Sequence, residues 1–136
     1  MKSGSSASSA EYALRLLLDT HILVWLVLDD RRLSAVQRDA LENPDNAMVI
    51  SPVVAYELTH LQRSGRIPLR EPIDRLQELT GFELVDLPYR VWRSAATLPD
   101  IHRDPIDRML IAHAICDNYG LVTADANIRR YSATCI

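Results

Sequence analysis

The stretch LRLLLDTHILVWLVLDD, residues 14–30, decides the fold. Its first five residues form a short apolar run that stops at Asp19. That is the signature of a strand buried in a parallel sheet rather than of an alternating surface strand. Over residues 21–28 the apolar residues recur with a helical pattern, and the polar stretch 29–32 stops them. A strand, an acidic corner and a helix make the opening of a β–α unit. The same alternation repeats down the chain. Ser34 suits the N-cap of a second helix through about Glu42, NPDN (43–46) reads as a turn, and 47–50 as a second buried strand. Ser51–Pro52 opens a helix through about Arg63, with Gly65 as its terminator. Residues 71–80 read as helix, 82–86 as strand and 89–98 as helix. Asp104 and Pro105 start a helix to about Asn118, with Gly120 as a stop signal. Residues 121–123 then read as strand, and 132–136 as a last strand at the edge. Such alternation implies an α/β sandwich around a mainly parallel sheet, in which ligands gather outside the carboxyl ends of the strands.

The 136 residues, 48% apolar and 24% charged, suit one globular domain. Residues 1–13, rich in Ser, Gly and Ala, read as a flexible leader or expression remnant, which assigns the domain to 14–136. The apolar runs fall short of the roughly 18 residues that span a bilayer, and the start lacks the apolar centre of a secretory signal. Cys116 and Cys135 form neither a disulfide framework nor a metal spacing. These features point to a cytoplasmic protein without membrane association.

The formal charge of −3 gives no hint of a nucleic-acid binder, but the basic residues are distinctive. Lys2 is the only lysine in the sequence, so a P-loop, a Schiff-base enzyme and a lysine-dependent phosphoryl receiver all lack their essential residue within the fold. The other basic residues are arginines, including the pairs Arg31–Arg32 and Arg129–Arg130 and the spaced set Arg63, Arg66, Arg70. Arginine grips phosphate in a two-pronged geometry, although a plain solvated surface uses the same residue.

The acids fall at telling places. Asp19 directly follows the first strand. Glu57 shares or borders the apolar helical face that includes Val54, Leu58 and Leu61. HRDPIDRMLIAHA, residues 102–114, carries Asp104 and Asp107 around a proline, and Asp125 follows the strand at 121–123. Each acid has an ordinary structural role open to it, as a helix cap, a turn residue or a solvated side chain. Together they lie at strand ends or in the first turns of the following helices, positions that converge on one sheet edge. Carboxylates so gathered repel one another unless cations intervene, and hard oxygen donors suit Mg²⁺ or Mn²⁺. The four histidines are scattered and offer no zinc spacing.

Four segments, LLLDTHILVWLVLDDRRLS, SPVVAYEL, HRDPIDRMLIAHA and LVTADANIRRY, resemble in order and spacing the PIN-domain ribonucleases, and most closely the VapC-like toxins of type II toxin–antitoxin systems. The resemblance runs from about Leu14 to the C-terminus and implies a PIN-like α/β/α sandwich. It assigns Asp19, Glu57, Asp107 and Asp125 as catalytic acids and metal ligands for Mg²⁺ or Mn²⁺. Thr20 and Thr123 would orient water or a carboxylate, and Asp104 would support the site or simply cap its helix. Ile106 stands where family members with this His-Arg-Asp-Pro pattern usually have an aromatic residue. Arg31, Arg32, Arg63, Arg129 and Arg130 would hold the RNA backbone at the rim. The implied activity is metal-dependent hydrolysis of RNA phosphodiesters, and the implied partners are RNA, a cognate antitoxin and a second copy in a homodimer.

Rival readings fare differently. A haloacid-dehalogenase-type phosphatase needs an Asp two residues after the first, where His21 stands, and a later lysine. A housekeeping nuclease of RNA processing or DNA repair would share the site, and a non-cutting PIN-like binding module would share the fold.

Overall fold

The computed structural model describes residues 12–131 and 133–136. Strands β1 (Leu14–Leu18), β2 (Asn46–Ile50), β3 (Glu83–Leu84) and β4 (Gly120–Val122) form one wholly parallel sheet of order β3-β2-β1-β4. Leu16, Leu17 and Leu18 are consecutive and have no exposed surface. Successive strand side chains point to opposite faces, so both faces of β1 are covered, and the apolar run is explained. Each such leucine withdrawn from water contributes about 2 kcal/mol before ordering entropy is set against it. The result is the expected α/β/α sandwich.

Helices α1 (Thr20–Leu28), α2 (Ala35–Glu42), α3 (Pro52–Arg63), α4 (Ile73–Thr80), α5 (Tyr89–Thr97) and α6 (Pro105–Cys116) flank the sheet. Four begin where the sequence places a polar cap. Asp19, Ser34, Ser51 and Asp104 each accept a backbone N–H of the first turn. Ser34 and Gln37 complete a reciprocal capping box. The Gln37 amide also donates to Thr123 O (3.0 Å) and Ile136 O (3.2 Å), fastening α2 to the end of β4. A smaller apolar cluster of Val91, Ala95 and Ala112 joins α5 to α6.

Some boundaries differ from the sequence reading. Helix α4 starts at Ile73, because Pro72 caps it and disfavours helical backbone at Glu71. The residue that turns the chain after α6 is Asn118, with φ 57°, whereas Gly120 opens β4 opposite Leu16. A Cβ at Gly120 would meet the Leu16 side chain at 3.1 Å, so close strand packing favours glycine there. Within the expected strand 132–136, Ser132 lies outside the described residues. Residues 133–136 pair with β4 through a parallel bridge, Leu121 to Cys135, with the Ile136 N–H on Leu121 O at 2.9 Å. Of the expected leader, residues 1–11 lie outside the described residues, and the Ala13 N–H already bonds Asp45 O at 2.8 Å. Among the described residues no helix is long and apolar enough to cross a membrane.

The strand order places the site. From β1 the chain pairs with β2 on one side and β4 on the other, so a crevice opens outside the carboxyl ends of β1 and β4.

Candidate active site

Asp19 occupies that crevice. It leaves β1 and caps α1, accepting the Ile22 N–H at 2.9 Å, while its own N–H donates to Val122 O at 3.1 Å and ties the corner to β4. Burial raises its pKa above the ordinary carboxylate value. Hydrogen bonds from Thr123 and the Ile22 N–H oppose the rise, and the charge of Glu57 adds to it.

Glu57 reaches the same place from the second turn of α3. It is half-buried, and the hydroxyl of buried Thr20 donates to its Oε1. The apolar face expected around Glu57 is present, since Val54 and Leu58 have no exposed surface.

HRDPIDR supplies the third approach. Asp104 Oδ1 accepts the N–H groups of Ile106 (2.8 Å) and Asp107 (3.3 Å), which is the N-cap role. Asp107, in the first turn of α6, carries a pKa pushed up to about 7, chiefly by burial and then by the charge of Asp104, with Glu57 and Asp125 adding and His102 opposing. Asp125 follows β4. Its N–H donates to the Thr123 hydroxyl (3.0 Å), and its Oδ1 accepts the Asn127 N–H (2.8 Å). Its pKa lies below the ordinary value: desolvation pushes upward, and the His102 hydrogen bond together with backbone donors overcomes it. His102 Nε2 stands 3.0 Å from Asp107 Oδ2 and 3.0 Å from Asp125 Oδ2. These three donor atoms lie within 4.8 Å of one another.

The structure thus brings all five predicted acids, with Thr20, to one cleft of about 440 Å³. Thr123 lies beneath them, fully buried, holding Asp19 and Asp125. The carboxylates outnumber the local cations, and their charge adds to the burial that raises the pKa of Asp107. A hard divalent ion fits such an oxygen-rich, positive-poor donor set.

The arginines divide. Arg32 lines the cleft, its guanidinium held on Asp30 (3.1 and 2.8 Å) and 5.1 Å from the Trp25 ring centroid. Arg129 and Arg130 lie in the short helical turn Ile128–Arg130 just past Asp125, where Arg129 also donates to Thr123 O at 2.9 Å. Arg31 is exposed beside Arg32. Arg63 is not brought to the cleft; it lines a separate surface groove with Tyr56 and His60.

Sequence reasoning missed His102, although it stands at the head of the quoted HRDP segment. Its placement depends on Arg108 and Tyr131, which no local pattern reveals. Trp25 was read only as part of an apolar helix, and it lines the same cleft.

The wholly parallel sheet and its flanking helices define the class, an α/β/α sandwich, here with acids clustered at the β1/β4 switch point. Within that class the chain belongs to the PIN domain family, whose family model matches residues 16–133. It is 32% identical over 118 residues to Ribonuclease VapC22 of Mycobacterium tuberculosis, an alignment covering 85% of this chain and 90% of that protein. The fold is similar to that in VapBC2 from Rickettsia felis, solved bound to a promoter DNA fragment. That match has a TM-score of 0.63 and 19% identity, over 90% of this chain and 98% of the other. It is similar also to VapBC-1 from nontypeable Haemophilus influenzae, with a TM-score of 0.62 and 14% identity over 90% and 97%.

Proposed function

We propose that this chain is a metal-dependent endoribonuclease that hydrolyses RNA phosphodiester bonds and acts as the toxin of a toxin–antitoxin pair. The observation that carries the reading is the meeting of Asp19, Glu57, Asp107 and Asp125 in one cleft at the switch point of the sheet. PIN family membership and the likeness to a VapC ribonuclease support it.

Asp107, Asp125 and Asp19 would hold Mg²⁺ or Mn²⁺, with Glu57 completing a second position or acting as a base. When bound, such an ion supplies positive charge to the phosphate and makes water more acidic. The protein's part is preorganisation. Ile22 N–H and Thr123 fix Asp19, Thr20 fixes one oxygen of Glu57, and Asn127 N–H fixes one oxygen of Asp125. None of these acids then has to be ordered when substrate arrives. Arg32, braced by Asp30 and Trp25, presents a fixed guanidinium to an approaching phosphate. Asp104 acts mainly as the cap that keeps Asp107 at the helix start.

The partner of such a toxin is a cognate antitoxin, which would neutralise the acids with a basic side chain. The structural neighbours, complexes of the VapBC type, support that reading. A homodimer is supported by Tyr89 and Trp92, three residues apart on α5 and 74% and 57% exposed.

Cleavage of tRNA, rRNA and mRNA pools with and without EDTA tests the activity. The isosteric variants Asp19→Asn and Glu57→Gln should fold and abolish Mn²⁺-dependent cleavage; unchanged cleavage by both would overturn the assignment. Growth arrest on expression, relieved by a copurifying small partner, separates a toxin from a housekeeping nuclease. Light scattering tests the dimer.

A further inference from the structure

Resting on that metallonuclease reading, we infer that His102 is a positioning residue: an N–H clamp that draws Asp107 and Asp125 together for the metal. It is not itself a metal ligand.

The two acids come from different elements, the first turn of α6 and the loop after β4. Their facing oxygens share a single nitrogen, His102 Nε2, at 3.0 Å each. The other ring nitrogen decides what Nε2 carries. His102 Nδ1 accepts the backbone N–H of Asp104 at 3.2 Å, so Nδ1 bears no proton and the ring proton sits on Nε2. That proton faces both carboxylates. For Nε2 to bind an ion through its lone pair, the proton would have to move to Nδ1. There it would point at the Asp104 N–H, donor against donor. The capped start of α6 therefore selects the clamping tautomer over the ligating one.

The backbone around His102 is held as firmly as its ring. Its N–H donates to the Tyr131 hydroxyl at 2.7 Å, and that hydroxyl donates to Pro99 O at 2.8 Å. Arg108, from α6, donates to four carbonyls, those of Ala95, Leu98, Pro99 and His102, between 2.8 and 3.2 Å. The side chain so anchored is only 16% exposed, and the two acids it meets supply its Nε2 contacts.

Calorimetric titration of metal-free protein with Mn²⁺ tests the clamp, alongside thermal melts and ¹⁵N spectra of the imidazoles. The wild type should bind Mn²⁺ and show an Nε2-protonated His102 in the metal-free state. His102→Ala should bind Mn²⁺ about 10- to 100-fold more weakly while retaining its fold, the usual consequence of losing a group that orients a ligand. His102→Gln, which restores an N–H donor, should recover most of that affinity. Electron spin echo spectra of the Mn²⁺-loaded wild type should lack a directly bound imidazole nitrogen. A bound nitrogen, or unchanged Mn²⁺ affinity in His102→Ala, overturns the clamp and leaves the nuclease reading standing. Failure of the wild type to bind Mn²⁺ at all overturns both.

Discussion

Two histidines in this molecule face aspartates, and they behave in opposite ways. His102 meets Asp107 and Asp125 at an open cleft. His113 lies in α6 with no exposed surface. Its Nδ1 is 3.0 Å from the Ser51 hydroxyl, its Nε2 is 3.4 Å from Asp117 Oδ2 without hydrogen-bond geometry, and the Tyr119 ring stands edge-on at 5.5 Å. Arg90 pairs with Asp117 on the far side. Ser51, His113 and Asp117 have the composition of a hydrolytic triad, yet Ser51 is completely buried and its hydroxyl caps α3 by accepting the Val53 N–H at 3.2 Å. That constellation braces α3 against α6. What separates a site from a brace is solvent access and uncompensated charge, and only the cleft around His102 has both.

Substitutions should break the comparison cleanly. The largest effect belongs to Asp107→Asn, expected to lower Mn²⁺-dependent cleavage by roughly 10²–10³-fold or more with little change in melting temperature. His113→Ala should do the reverse, costing about 2–3 kcal/mol in a denaturant titration while cleavage per folded molecule stays within a few fold. Arg108→Met crosses the boundary. It removes four charge-assisted hydrogen bonds and should cost about 2–4 kcal/mol. It should also weaken Mn²⁺ binding, although Arg108 touches none of the cleft acids; equal Mn²⁺ affinity would show that the loop holds without it.

The two regions should also respond to pH with opposite sign. Asp107 has a folded pKa raised from 3.8 to about 7. In metal-free protein its stabilising contribution is full below 3.8 and lost as pH rises through about 7. A cation must displace that proton, so Mn²⁺ affinity should fall by up to about tenfold per pH unit below neutrality and level off above it. His113 has a folded pKa lowered from 6.5 by burial, an effect that Asp117 opposes and Arg90 assists. Its contribution is full above 6.5 and lost as pH falls below that value. Melts of metal-free Asp107→Asn and His113→Gln across pH 4–8 should each flatten one limb. The smallest effect is Gly120→Ala, under about 1 kcal/mol, because the flexible Leu16 side chain can yield.

Much of this was legible in the sequence because it is local chemistry. Capping at Asp19, Ser34, Ser51 and Asp104 depends on residues within three positions, and LRLLL announces a strand covered on both faces. The acids were readable because strand ends and helix starts share one edge in a parallel sheet. His102 was not, because its place is set by Arg108 six residues on and Tyr131 twenty-nine residues on. The left-handed turn at Asn118 was assigned to Gly120, since glycine is the usual occupant of that backbone and asparagine the less frequent one.

Arg108 follows Asp107 directly in the chain, so the helix that offers a carboxylate to the site also grips the loop that orients it. Chimeras between homologues should therefore tolerate exchange of residues 98–131 as a block. Moving α6 alone should strand the recipient's loop without its bracket. In this chain the unit to exchange runs from Leu98 to Tyr131, not from one end of a helix to the other.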